Sequence, residues 1–113
     1  MSPERESLSS QLVEYVRWCA THRTSPRVAE FATRLGKSRS SITTRFARES
    51  PCNVGAALRI AQIEFAKELL HDTNLPLSKV AEMTGFSSER SFYRAFIRIT
   101  GEKPGCYRRH AKC

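Results

Sequence analysis

VAEFATRLGKSRSSITTRFAR (Val28 to Arg48) and LSKVAEMTGFSSERSFYRAFIR (Leu77 to Arg98) write one pattern twice, about fifty residues apart. Each has a short apolar run at helical spacing, a glycine, a serine-rich turn, and a second periodic run studded with arginine. That is the layout of a helix-turn-helix. Up to the glycine the offset is 49, pairing Ala32 with Ala81 and Gly36 with Gly85. Beyond the turn it is 50, pairing Ser38 with Ser88, Ser41 with Ser91, Phe46 with Phe96 and Arg48 with Arg98. The same offset continues through Gly55 with Gly105 and Arg59 with Arg109, so one extra residue sits in the second turn. The matches fall where a helix-turn-helix needs them, which marks an internal duplication.

Outward from the repeats, the periodicity predicts an all-α chain of seven helices. Leu8, Leu12, Tyr15, Val16 and Cys19 recur at helical spacing and predict a first helix over 7–22. Ser25-Pro26 reads as the start of the next, a capping hydroxyl with proline in the first turn. That helix runs to about Leu35 and stops at Gly36, the residue type that accepts positive φ. Ser38 caps a third helix with Ile42 and Phe46 on its apolar face, ended by Pro51. Residues 54–72 are apolar around much of a helical circumference, as expected of a helix covered on several sides. The pattern then repeats over 77–84 and 88–99, and Lys103-Pro104 opens a last short helix. The organisation predicted is two helix-turn-helix subdomains, 1–53 and 73–113, joined by the 54–72 connector helix. At about 1.5 Å per residue the connector spans roughly 28 Å, close to the ~34 Å turn of B-DNA.

Charge narrows the class of partner. The 113 residues carry a net charge of +8. Residues 34–59 hold six basic and one acidic residue and 85–113 hold seven and two, +5 in each window, leaving the remainder at −2. Charge of one sign concentrated on the second half of each repeat points to a polyanion. No apolar run approaches the ~18 residues of a membrane span, and MSPERESLSSQL lacks a signal-peptide layout. A cytoplasmic, nucleoid-associated location is the expectation. The four cysteines (Cys19, Cys52, Cys106, Cys113) have no CxxC spacing and read as free thiols, with a metal site at Cys106, His110 and Cys113 a minor alternative. No Ser/His/Asp set, metal cluster or phosphate-binding glycine loop is present, so the expectation is a protein that is not an enzyme and needs no cofactor. A basic helical module that docks an acidic protein is the rival reading.

AKELLHDTNLPLSKVAEMTGFSSERSFYRAFIRITGEKPGCYRR, Ala66 to Arg109, resembles the signature of the AraC/XylS transcription regulators, closing on Pro104, Tyr107 and Arg108. The likeness extends from about Leu8 to Arg109. It implies a homeodomain-like, AraC-type fold and a DNA-binding regulator of the activator kind. Two recognition helices would enter successive major grooves of promoter DNA, and RNA polymerase is a further partner it implies. In length the chain is similar to the small MarA/SoxS-type members, which implies a monomer; the DNA-binding domain of a longer ligand-responsive regulator is the alternative.

By the same resemblance, base contacts come from the outer face of each second helix. They fall on Arg39, Ser40, Thr43 and Thr44 in the first copy and on Glu89, Arg90, Tyr93 and Arg94 in the second. The family's arginine is matched by Arg94; in the first copy Thr44 takes that place and the arginine comes one residue later, at Arg45. One residue is about 100° of helix, which puts Arg45 beside the core face. Arginine matches guanine O6 and N7, and threonine can touch a thymine methyl. Glu89 either accepts from cytosine N4 or pairs with Arg90. Phosphate contacts are expected from Lys37, Arg48, Arg98, Lys103 and Arg109, and from the helix starts at Ser38 and Ser88. Phe86, Phe92, Phe96, Trp18 and Tyr107 read as core residues.

Overall fold

A computed structural model describes residues 8–49 and 53–112. Among them are seven helices and no strand: α1 (Leu8–Thr21), α2 (Val28–Arg34), α3 (Arg39–Glu49), α4 (Val54–Asp72), α5 (Leu77–Met83), α6 (Glu89–Thr100) and α7 (Pro104–Lys112). The expected start of the first helix at residue 7, the proline stop at Pro51, and Cys52 and Cys113 lie outside the described residues. No helix among the described residues is long and apolar enough to cross a membrane.

The connector α4 serves two cores with different faces. Val54, Ala57, Leu58, Ala61 and Phe65 join Leu8, Leu12, Tyr15, Val16, Cys19, Phe31, Ala32, Ile42 and Phe46 in one cluster. Ile63, Ala66 and Leu70 join Val80, Ala81, Phe86, Phe92, Ala95 and Phe96 in the other. Leu69 packs against both. This double duty explains why α4 is apolar around much of its circumference. Each fully buried Leu, Ile or Phe contributes about 1.5–3 kcal/mol by leaving water. Asn53 caps α4 through its side-chain oxygen, which accepts from the Ala56 N–H at 2.8 Å. At the far end Arg108 Nε donates to the Leu70 carbonyl at 3.3 Å, so α7 supplies a cation where the helix dipole is negative.

The duplication is visible in the turns. Gly36 and Gly85 both take positive φ, 69° and 87°. Ser38 and Ser88 both accept, through Oγ, the N–H three residues on, at 3.1 and 3.0 Å. The two turns differ at the residue after the glycine. Phe86 is buried, tilted against Phe92 at 5.5 Å, whereas Lys37 after the matching glycine is exposed. Of the other aromatics expected in the core, Phe92 and Phe96 are fully buried, and Trp18 and Tyr107 are half-buried at its edge.

One expected start signal is displaced. α2 begins at Val28 with Arg27 in the cap position, so Ser25 does not cap it and Pro26 precedes its first turn. The reason is Tyr15, whose hydroxyl accepts the Arg27 N–H at 2.9 Å and donates to Glu30 Oε1 at 2.9 Å. A buried phenol from α1 fixes the chain entering α2. Burial pushes Tyr15 well above its ordinary pKa, against the opposing pull of the Arg27 N–H.

Pro26 is released for another contact. A Cβ added at Gly85 would lie 2.5 Å from Pro26 Cδ and 2.9 Å from its Cγ, so the segment before α2 presses on the turn before α6. Beside it, buried Gln62 donates Nε2 to the Thr84 carbonyl at 2.9 Å. The Thr84 hydroxyl donates to Val80 O and Ala81 O, at 2.8 and 3.1 Å. These contacts lock α1–α2, α4 and the second turn together.

Candidate nucleic-acid interface

α3 and α6 each bury one face and present the other. In α6 Phe92, Ala95 and Phe96 are buried. Opposite them Arg90, Arg94 and Ile97, spaced four and three residues apart, form one exposed stripe. In α3 Ile42 and Phe46 are buried, and Ser40, Thr44 and Ala47 form the matching exposed stripe. The two stripes differ in kind: small and uncharged on α3, two guanidinium groups and an aliphatic chain on α6.

The structure distributes the sequence-expected residues as follows. Arg39, Ser40, Thr43, Thr44, Glu89, Arg90 and Arg94 are exposed on α3 and α6. The Thr43 hydroxyl is donated to the Arg39 carbonyl at 2.9 Å. Tyr93 departs from expectation: it is half-buried, packed on the second core and edge-on to Phe92 at 6.1 Å. A large ring one residue from Phe92 gains more by covering the core than by standing in water. Arg45 is half-buried, unlike the exposed Thr44 before it. By the repeat it matches Ala95, a core position. Glu89 is exposed, with no ion pair to Arg90 among the described residues.

Lys37, Ser38, Arg48, Ser88, Arg98, Lys103 and Arg109 are all exposed. Arg109 donates to Cys106 Sγ at 3.3 Å, while His110 Nδ1 lies 3.3 Å from Glu102. His22 Nδ1 contacts the Trp18 carbonyl at 2.9 Å just beyond α1, and His71 lies in the last turn of α4 beside Asp72.

Charge pairing is segregated. Arg17 bridges Glu14 and Glu68, Lys67 pairs with Glu64 at 3.1 Å and Lys79 with Glu82 at 3.7 Å. None of Lys37, Arg39, Arg48, Arg90, Arg94 and Arg98 has an ion pair among the described residues. The ion pairs of lysine and arginine named above thus lie on α1, α4 and α5, while these six cations of α3, α6 and the turn before α3 have no carboxylate partner among the described residues. Two residues of this surface escaped the sequence reading. Ile97, 40% exposed, stands in the α6 stripe as one of two large exposed hydrophobics among the described residues. Arg59 reaches from α4 to place its guanidinium carbon 4.9 Å over the Phe86 ring. The i, i+3, i+7 spacing of Ile97 from Arg94 and Arg90 was available in the sequence; the Arg59 contact, 27 residues distant, was not.

A family model described as a helix-turn-helix domain matches residues 31–110. The RCS-specific HTH-type transcriptional activator RclR of Escherichia coli K12 is 32% identical over 85 residues, 75% of this chain and 30% of that protein. Among solved structures, the xylose-binding transcription activator XylR superposes with a TM-score of 0.74 at 26% identity, over 96% of this chain and 28% of that one. The DNA-binding domain of AdpA, a global transcriptional factor solved in complex with a target DNA, superposes with a TM-score of 0.68 at 27% identity, over 88% of this chain and 91% of that one. The chain spans under a third of the length of the curated relatives it matches.

Proposed function

The chain belongs to the AraC-type helix-turn-helix family, and from that premise we propose that it is a sequence-specific double-stranded DNA-binding transcription regulator. α3 and α6 are its recognition helices, set in successive major grooves on one face of the duplex. The observation that carries this is the pair of structurally matched helices, each with an exposed stripe opposite a buried one and flanked by cations without a carboxylate partner among the described residues. A helix fits the ~12 Å major groove, and the 39 Å longest extent of the molecule exceeds the ~34 Å repeat of B-DNA. Residues 1–53 and 73–113 act as two reading units and 54–72 as their spacer.

The readers are unequal. Arg90 and Arg94 offer bidentate forks for guanine, each good pair giving about 1–3 kcal/mol of discrimination. Ile97 offers an apolar contact for a thymine methyl. Ser40, Thr44 and Ala47 offer contacts that discriminate less. Lys37, Arg48, Arg98, Lys103, Arg109 and the capped starts of α3 and α6 contact phosphates. Selection from random duplexes, with salt titration of the winners, tests this. The expected result is an asymmetric site of about two helical turns whose affinity falls steeply with salt. Binding indifferent to sequence, or a palindromic site, would overturn it.

A single chain carries both readers, so one copy fills one site. The chain's small share of its relatives' length favours a second reading, in which this unit works inside a longer ligand-responsive regulator. Mass measurement of the native gene product separates the two. Sedimentation of the complex on a minimal site reports whether one chain or two is bound.

A further inference from the structure

Arg59 belongs to the connector rather than to either recognition helix. It lies where α4 passes α6, and with Ser91, Arg94, Ala95 and Arg98 it lines a concavity of about 210 Å³. Three arginines therefore line one small open space, and none of them is ion-paired among the described residues. The Arg59 head is held in place by stacking over Phe86, a buried ring of the second turn. Converging cations without a carboxylate repel one another unless an anion joins them. Arg94 is shared with the reading stripe of α6, so the concavity flanks the groove-facing surface on its connector side. Beside a helix seated in the major groove, the nearest anion is the phosphate backbone along that groove edge.

We propose that Arg59, together with Arg98, clamps one backbone phosphate beside α6, which makes the connector helix part of the DNA interface. The clamp rests on the DNA-reading function proposed above. Its role is register: it fixes the strand on one side of α6 and leaves Arg94 free to reach a base edge. The turn residue Phe86, present only in the second copy, is what orients Arg59, so the second reader alone is braced in this way.

The test compares wild type, Arg59→Ala and Arg59→Lys on the selected duplex. Loss of one phosphate contact lowers the slope of log affinity against log salt by about 0.9. Between about 50 and 200 mM salt the Arg59→Ala protein then loses about 3.5-fold less affinity than wild type. It binds all site variants more weakly by a common factor, while Arg94→Ala changes the preferred bases. Methylphosphonate replacement of single phosphates identifies the partner: one neutral linkage weakens wild type more than Arg59→Ala, which keeps only Arg98 at that phosphate. Arg59→Lys restores most of the slope because it keeps the charge. A merely structural Arg59 would shift melting temperature without moving the slope. An unchanged slope in Arg59→Ala, or equal sensitivity of both proteins to every neutral linkage, overturns the clamp. Absence of any sequence preference in wild type overturns the proposed function instead.

Discussion

Gly36 and Gly85 occupy matching turns, yet replacing them with alanine has different consequences. Both sit at positive φ, 69° and 87°, where an L side chain costs about 1–2 kcal/mol. At Gly36 that is the whole cost, because an added Cβ meets nothing within 4 Å. At Gly85 the same Cβ lies 2.5 Å from Pro26 Cδ, 2.9 Å from Pro26 Cγ and 3.2 Å from Gln62 Nε2. Proline cannot swing its ring aside, so the backbone must shift, adding about 1–3 kcal/mol as overpacking does. Gly36→Ala is expected to cost about 1–2 kcal/mol and Gly85→Ala about 2–5 kcal/mol. Urea unfolding measures both. Adding Pro26→Ala removes the Cγ and Cδ atoms, so the double variant Pro26→Ala/Gly85→Ala should recover the overpacking part but not the φ part. Equal destabilisation of the two glycine variants within about 0.5 kcal/mol, or additive Pro26 and Gly85 effects, would refute the contact between the first half and the second turn.

In binding-site selection, Arg94→Ala should relax base preference in one half of the site, and Thr44→Ala should change it less; the reverse order would sink the assignment of α6 as the stronger reader. Gln62→Leu keeps the volume but strands the buried Thr84 carbonyl, which should cost about 1–3 kcal/mol in urea unfolding; a neutral result would mean that water or another donor reaches that carbonyl. The folded state holds the Tyr15 and Cys19 protons beyond their ordinary values of 10.0 and 9.0, chiefly through burial. The unfolded chain gives them up first, so stability is full below about pH 9 and falls as pH rises toward the folded values. The urea midpoint should therefore drop as pH rises above about 9, and the part of the drop above about pH 10 should shrink in Tyr15→Phe; an identical pH profile in that variant would count against the buried phenol.

Local signals carried most of the fold. The connector at 54–72, the glycine stops and the serine caps at Ser38 and Ser88 all fall where spacing and residue chemistry put them. The failures are long-range. Ser25-Pro26 has the local form of a helix start, but Tyr15, twelve residues before Arg27, decides where α2 begins. Pro26 touches Gly85, 59 residues on, and no local rule connects them. Tyr93 lies at the margin of the buried arc, where periodicity cannot say whether a ring covers the core or leaves it. Arg108 enters the sequence reading only as part of the closing motif, and its bond to the Leu70 carbonyl joins residues 38 apart.

The inequality of the two copies reduces to one residue of phase. In the second copy an arginine stands at 94 and an alanine at 95; in the first a threonine stands at 44 and an arginine at 45. Moving arginine by one position turns it about 100° around the helix, from the exposed stripe to the flank of the core. Arg45 is accordingly half-buried where Arg94 is exposed. The copies also share a connector buried in both cores and tied to the second turn by Gln62. Their separation is therefore set by packing rather than by each helix settling on its own groove. A pair held this way can demand good geometry at only one half-site without requiring the DNA to match a fixed spacing perfectly. Small side chains at Ser40, Thr44 and Ala47 are the ones that tolerate an imperfect fit, and the long forked ones at Arg90 and Arg94 sit on the helix whose turn is locked against Pro26. In the proposed reading, stringent readout belongs to the braced side and permissive readout to the other.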